Sequence, residues 1–290
     1  MKYLKYFTNE SDYQTFKGSE DYVLPNVSYV VEDDKVKYNL EDFIIMTSES
    51  NPEVMKVCYN QGWAASPYEM YASEAARVTS IGTAFQDLGQ GSSNNYGYSG
   101  YSSGYSSGYG ISGPSFTFSF DEFKYFTGVT TIEDYAFSGS NIVSIIIPDS
   151  VTYIGYEAFY SCLALTDLTI GSGVTTIDTG AFYECESLTE VTIPNSVTTI
   201  EDYAFASCSV LTDLTIGSGV TTIDTRAFYF CLDLKSITCF APTAPNIKYD
   251  VFEAAPKDGT LYIPSGSDYS SWMRTDGYHL GRYNWTVQEI

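Results

Sequence analysis

The chain has 290 residues, 44% of them hydrophobic, and sets 36 acidic side chains against 14 basic ones for a formal charge of −22. The charge excludes nucleic acid as a partner, because phosphate contacts need Lys and Arg, and it disfavours an anionic membrane surface for the same reason.

Residues 1–50 read as a strand-rich segment. Val23-Leu-Pro-Asn-Val-Ser-Tyr-Val-Val31 gives short strands with Pro25 at an edge or turn. Glu32-Asp33-Asp34 is a polar turn, and Val36-Lys-Tyr38 is the return of a hairpin. The opening, Met1-Lys-Tyr-Leu-Lys-Tyr-Phe, has no apolar region of a secretory signal. No apolar run in the chain reaches the ~20 residues of a membrane-spanning helix.

Residues 51–88 read as a helical N-terminal cap. Asn51 is placed to cap, Pro52 suits a first turn, and Val54, Met55, Val57 and Cys58 form an apolar stripe. A second helix is expected from Ser73 through Ala75, Ala76 and Val78. The loop between them, Asn60-Gln-Gly-Trp-Ala-Ala-Ser-Pro67, lacks the carboxylate series that calcium requires, so no metal is expected there. Val78-Thr-Ser-Ile81, followed by Ala84-Phe85, already carries the V-T-x-I…A-F pattern of the repeats downstream. The cap therefore runs directly into a first coil.

Residues 89–115 are a low-complexity insertion of Gly, Ser, Asn and Tyr. Such a tract packs no core and is flexible. Tyr96, Tyr98, Tyr101, Tyr105 and Tyr109 lie among small polar residues, the mixture that antibody loops use for adaptable contacts. The tract is either inert or a partner-binding loop. Gly100-Tyr-Ser-Ser-Gly104 and Gly108-Tyr-Gly-Ile-Ser-Gly113 match hydrolase and dinucleotide motifs, but both motifs need a strand–turn–helix setting.

From 116 to 241 the chain repeats with a period of 23. Leu165 to Cys185 recurs almost letter for letter from Leu211 to Cys231, with a looser copy at Leu188 to Cys208. Leu165, Leu168 and Ile170 have the L-x-x-L-x-L spacing of a leucine-rich-repeat strand. Leu168 and Ile170 share one face and Thr169 takes the other. Val174 and Ile177 turn inward on the return path, and Ala181, Phe182 and Cys185 close the coil. Stacked coils bury what one coil cannot. The rings of Phe137, Phe159, Phe182, Phe205 and Phe228 are expected to stack through the interior, each small Ala before them admitting the backbone. Phe120 to Asn141 is an atypical first coil without the Cys.

Cys162, Cys185, Cys208 and Cys231 form a ladder at strand spacing, ~4.8 Å. Four rungs span on the order of 14 Å, too wide for one zinc with bonds of ~2.3 Å, and parallel neighbours lack the Cβ approach of a disulfide. Buried free thiols are expected. The outward ladder Thr169, Thr192, Thr215 and Thr238, flanked by Asp167, Glu190, Asp213 and Ser236, is the candidate binding face. The acidic solenoid offers no aromatic surface comparable with the tyrosine tract. Carboxylates are plentiful but fall at repeat positions, which reads as a solvated ladder rather than an acid–base pair.

Residues 242–290 read as a C-terminal cap. Ala241-Pro-Thr-Ala-Pro245 breaks the pattern, Leu261-Tyr-Ile-Pro264 is a final strand, Asp268-Tyr-Ser-Ser-Trp-Met273 a short helix, and Tyr283 to Ile290 a closing segment. Trp272 and Trp285 make a lid over the core. The sole histidine, His279, falls in this cap, leaving little material for a Ser–His or Cys–His system.

Ile147-Pro148-Asp149-Ser150-Val151, Ile193-Pro194-Asn195-Ser196-Val197, the recurring Ala-Phe pair and the trailing Cys resemble the bacterial BspA-like leucine-rich repeats over about Phe120 to Ala241. The resemblance implies an α/β repeat solenoid: a right-handed leucine-rich-repeat coil with a parallel concave sheet, beside the small α+β N-terminal region and the C-terminal cap. It implies a surface or adhesion protein with no catalytic residues and no cofactor. The expected function is non-enzymatic recognition of a protein or glycan through the threonine face, the tyrosine tract, or both. The alternatives are a structural component of a larger assembly such as a phage virion or tail and, third, an enzyme.

Overall fold

The computed structural model describes residues 28–32, 35–39, 44–47, 51–65, 69–88 and 116–290. The five tyrosines of the low-complexity tract lie outside them. The chain forms two compact units, residues 1–78 and 79–290.

In the first unit Ser28–Glu32 and Lys35–Asn39 form the expected antiparallel hairpin, with Val30 opposite Lys37. A second antiparallel pair joins Ile44–Thr47 to Glu69–Tyr71. The helix Pro52–Asn60 buries Val54, Met55 and Cys58. Asn51 makes no side-chain capping bond; its carbonyl accepts the Met55 N–H at 3.0 Å instead. The second helix is one turn, Ala72–Ala75, and not the longer element its alanines suggest. Beyond Ala75 the chain tightens into i→i−3 turns, Arg77 N–H donating to Glu74 O at 3.1 Å and Val78 N–H to Ala75 O at 3.0 Å.

The second unit is the solenoid. Its L-x-L segments make two parallel sheets. Phe118–Phe120, Ile142–Ile146 and Asp167–Thr169 form one; Glu190–Ile193, Asp213–Ile216, Ser236–Cys239, Thr260–Ile263 and Thr286–Glu289 form the other. The ladder is interrupted between Thr169 and Glu190. A further parallel sheet, absent from the sequence reading, runs through six two-residue strands from Thr131–Ile132 to Asn246–Ile247. It comes from the V-T-T-I segments, where β-branched residues favour extended backbone.

The third side of each coil is neither helix nor strand. The residue before Ala-Phe and the residue before Cys are left-handed, as at Tyr203 (φ 57°) and Ser207 (φ 58°). This alternation aims N–H groups at the next coil: Tyr203 donates to Thr225 O, Phe205 to Ala227 O and Ser207 to Tyr229 O, at 2.7–3.0 Å. The Phe-to-Ala bond is 2.7 Å for Phe137, Phe159 and Phe182. Where Val251 replaces Ala it lengthens to 3.1 Å, and the Phe228–Phe252 ring separation widens to 6.0 Å. The small Ala thus sets the close approach.

The rings stack as expected, and the stack is longer than the five named. Phe137 and Phe159 are 4.8 Å apart and 4° from parallel. Phe159–Phe182 (4.9 Å), Phe182–Phe205 (5.0 Å) and Phe205–Phe228 (5.5 Å) continue the stack. Phe85 extends it beyond Phe137 at 5.1 Å. At the other end Trp272 closes it against Phe252 at 5.5 Å, with its Nε1 donating to Pro245 O at 2.8 Å. Trp285 is also buried, over Gly259. Asp268 to Met273 is a turn rather than a helix. Its bonds run from Trp272 N to Tyr269 O and from Met273 N to Ser270 O. The Trp272 carbonyl is then taken by the Leu280 N–H at 2.9 Å, which ends any helix there.

Coil corners alternate between two kinds. Pro148 and Pro194 turn one kind; Gly171-Ser-Gly173 and Gly217-Ser-Gly219 turn the other. A Cβ on Gly171 would lie 2.3 Å from Pro148 O, and one on Gly219 would lie 2.0 Å from Asn195 O. Each glycine corner is bonded to the proline corner below it. Asp149 Oδ1 accepts the Ser172 N–H at 2.7 Å, and Asn195 Oδ1 accepts the Ser218 N–H at 2.9 Å. The near-identity of alternate coils therefore follows from packing.

Candidate partner-binding face

On the strand side, inward residues such as Val191, Ile193, Leu214 and Ile216 are buried. Their neighbours form two outward columns. Glu190, Asp213, Ser236, Thr260 and Thr286 are register partners in one. Thr192, Thr215, Thr238, Tyr262 and Gln288 are partners in the other. In the shorter sheet Ser144 pairs with Asp167 and Ile146 with Thr169. The structure thus brings Thr192, Thr215, Thr238, Glu190 and Asp213 into one sheet and places Asp167 and Thr169 in the next. Asp167, Thr169, Glu190, Thr192 and Asp213 are exposed; Thr215 and Thr238 are half-buried.

Local bonds hold the carboxylates. Thr166 Oγ1 donates to Asp167 Oδ2 at 2.6 Å, and Thr212 Oγ1 to Asp213 Oδ2 at 2.7 Å. Four residues of this face were missed from sequence: Asp121, Ser144, Ile146 and Tyr262. Strand alternation from Leu261 would have placed Tyr262 outward. The other three line a depression of about 370 Å³ at the N-terminal end of the face, together with Val143, Asp167 and Thr169.

The other sides differ. On the Thr-Ile side, Tyr153 donates to Asp178, which together with burial pushes its phenol up to about 12. Burial also raises the Glu201 carboxyl, with Asp224 and Asp178 adding to it. The Ala-Phe side is aromatic, contrary to expectation. Tyr135 meets Tyr156 at 5.4 Å, Tyr160 meets Tyr183 at 5.5 Å, and Tyr183 meets Tyr203 at 6.3 Å. The Arg226 guanidinium lies 5.4 Å from the Tyr229 ring and 3.4 Å from Asp250.

All six cysteines are free and buried. Cys162, Cys185, Cys208 and Cys231 each donate S–H to the carbonyl of the preceding coil's Phe, at 3.1–3.4 Å. Burial pushes the Cys162 and Cys208 thiols up to about 12, so they stay protonated and are poor nucleophiles. His279 Nδ1 lies 2.8 Å from Asp276 O in a cap turn. Among the described residues no cluster of three or more His, Cys, Asp or Glu is placed to hold a metal. No described helix is long and apolar enough to cross a membrane.

Residues 130–257 match the BspA type leucine rich repeat region in six copies. No curated protein matches the chain. Among solved structures, a leucine-rich-repeat protein of T. pallidum is 32% identical, over 38% of this chain and 52% of that one, with a TM-score of 0.37. A leucine-rich cell surface protein of Faecalibacterium prausnitzii A2-165 is 37% identical, over 42% of this chain and 31% of that one, with a TM-score of 0.39. The pneumococcal vaccine antigen PcpA is 16% identical, over 60% of this chain and 42% of that one, with a TM-score of 0.45. The matched part of this chain spans about half the length of the first and a third of the second.

Proposed function

We propose that this chain, whose residues 130–257 are BspA-type leucine-rich repeats, is a non-enzymatic scaffold that binds a protein partner through its strand face. The observation that supports this is the pair of outward columns, Glu190–Asp213–Ser236 and Thr192–Thr215–Thr238, held in register by the backbone ladder. Groups fixed before binding lose little freedom when a partner arrives. Hydroxyls and carboxylates at strand spacing offer hydrogen bonds along an extended surface, and stacked repeats commonly bind on such surfaces. On this reading the protein works in adhesion or attachment at an exposed surface, of a cell or of a particle. The five tyrosines of the 89–115 tract would add a second, adaptable contact.

The test is a combined protein and glycan array probed with the labelled full chain and with a Thr192→Arg/Thr215→Arg variant. Two arginines in the middle of the face add bulk and positive charge without touching the core. Protein binding that falls about tenfold or more in the variant, the size of one lost good contact, is the expected result. Binding confined to glycans, or protein binding that the variant leaves unchanged, overturns the reading.

A further inference from the structure

We propose that the depression at the N-terminal end of the strand face is a pocket for a lysine or arginine side chain, carried on a basic segment of a protein partner; this deepens the strand-face reading and rests on it. Two departures from the repeat pattern meet there. The positions that hold Thr166, Thr189 and Thr212 in later coils hold Val143, and the column of Thr169, Thr192, Thr215 and Thr238 begins with Ile146. Both aliphatic side chains are only half-buried, on a face whose later coils present hydroxyls and carboxylates.

Carboxylates flank that apolar floor. Asp121 Oδ1 accepts the Ser144 Oγ–H at 2.7 Å, and Asp167 is the register partner of Ser144 on the other side. Ser144 therefore sits between two acids, with Val143 and Ile146 beside it. An apolar surface rimmed by carboxylates suits an amphipathic cation, whose methylenes cover carbon while its charged head stays at the polar rim. Val143 and Ile146 would take the stem; Asp121 and Asp167 would take the ammonium or guanidinium.

Charge complementarity extends beyond the pocket. The acidic column continues from Asp167 through Glu190 and Asp213. Lys124 is the sole basic residue from Phe116 to Thr225, and its ammonium lies over the Tyr125 ring at 5.2 Å. The partner that fits is a segment with several basic residues, one of them anchored in the pocket.

Fluorescence anisotropy with labelled hexalysine at physiological ionic strength tests this on the full chain, with hexaglutamate as the negative probe. Asp121→Asn/Asp167→Asn keeps shape and removes both charges; Ile146→Thr restores the repeat residue. We expect hexalysine binding to weaken about fivefold to tenfold in the first, as for two solvent-screened charge pairs, and several-fold in the second, as for a small apolar contact. Glu201→Gln/Asp224→Asn, on the Thr-Ile side, should change it less than about twofold, as for remote screened charges. Equal weakening by that remote pair means diffuse attraction to an acidic protein and overturns the pocket. Absence of hexalysine binding also overturns it. If Thr192→Arg abolishes binding while the pocket variants do not, the pocket fails and the strand face stands. Array binding that no face variant alters brings down the strand face itself.

Discussion

Each interior thiol occupies a place defined by two backbone groups. The Phe159 carbonyl accepts the Cys162 N–H at 3.2 Å from its own coil and the Cys185 S–H at 3.3 Å from the next. A hydroxyl can make the same bond, and Ser140 already stands at the equivalent position one coil earlier, fully buried. Phe182, by contrast, is stacked on both faces. Phe182→Ala is therefore expected to cost roughly 3–5 kcal/mol, against about 1 kcal/mol for Cys185→Ser, one modest hydrogen-bond adjustment. Urea denaturation of the two variants checks the order, and equal losses would remove the stacked rings from their central place. The thiols also fix a pH response. Cys162 and Cys208 are raised in the folded chain from an ordinary value near 9 to about 12. Above pH 9 an unfolded thiol ionises while the folded one keeps its proton, so the folded state binds more protons and stability falls with rising pH. The contribution is complete below pH 9 and is lost between pH 9 and about 12, at about 1.4 kcal/mol per thiol per pH unit. Melting temperatures from pH 7 to 11 should decline steeply above 9, and less so in Cys162→Ser/Cys208→Ser.

The corner is the element that ties one coil to the next. Gly219 has no room for a Cβ against Asn195 O, so Gly219→Ala is expected to cost about 1–3 kcal/mol, as overpacking does. Thermal denaturation measures this, and an unchanged melting temperature would show that the proline corner below can give way. The outward strands, the ring stack and the buried thiols were all legible in the sequence, because each depends on a period and an alternation that the letters display. Other elements were not. The Thr-Ile sheet needs neighbouring coils to supply its hydrogen bonds, so two residues carry no strand signal alone. The left-handed positions are filled by Tyr, Glu, Ser, Arg and Phe as well as Gly, and residue type gives no warning of them. Asp268 to Met273 stayed a turn because the distant Leu280 N–H claimed the Trp272 carbonyl, whereas the chain after Ala75 tightened into local i→i−3 turns.

At the scale of the molecule, the candidate face was half legible. Its threonine and carboxylate columns follow from the period; the groove depends on which coil abuts which, and on Asp121 reaching back to Ser144, the register partner of Ser119. The aromatic side was hidden for a related reason. Tyr156, Tyr160 and Tyr203 stand at different places in the repeat, so only the folded coil gathers such residues on one side. The paired corners have a further consequence, for the gene rather than the protein. Removing residues 165–187 would set the Pro194 corner in the place of Gly171, where a Cβ would lie 2.3 Å from Pro148 O. Removing residues 165–210 would set one glycine corner where another had been. Insertions and deletions in this part of the gene are thus expected to fit the fold in steps of two coils, twice the visible period.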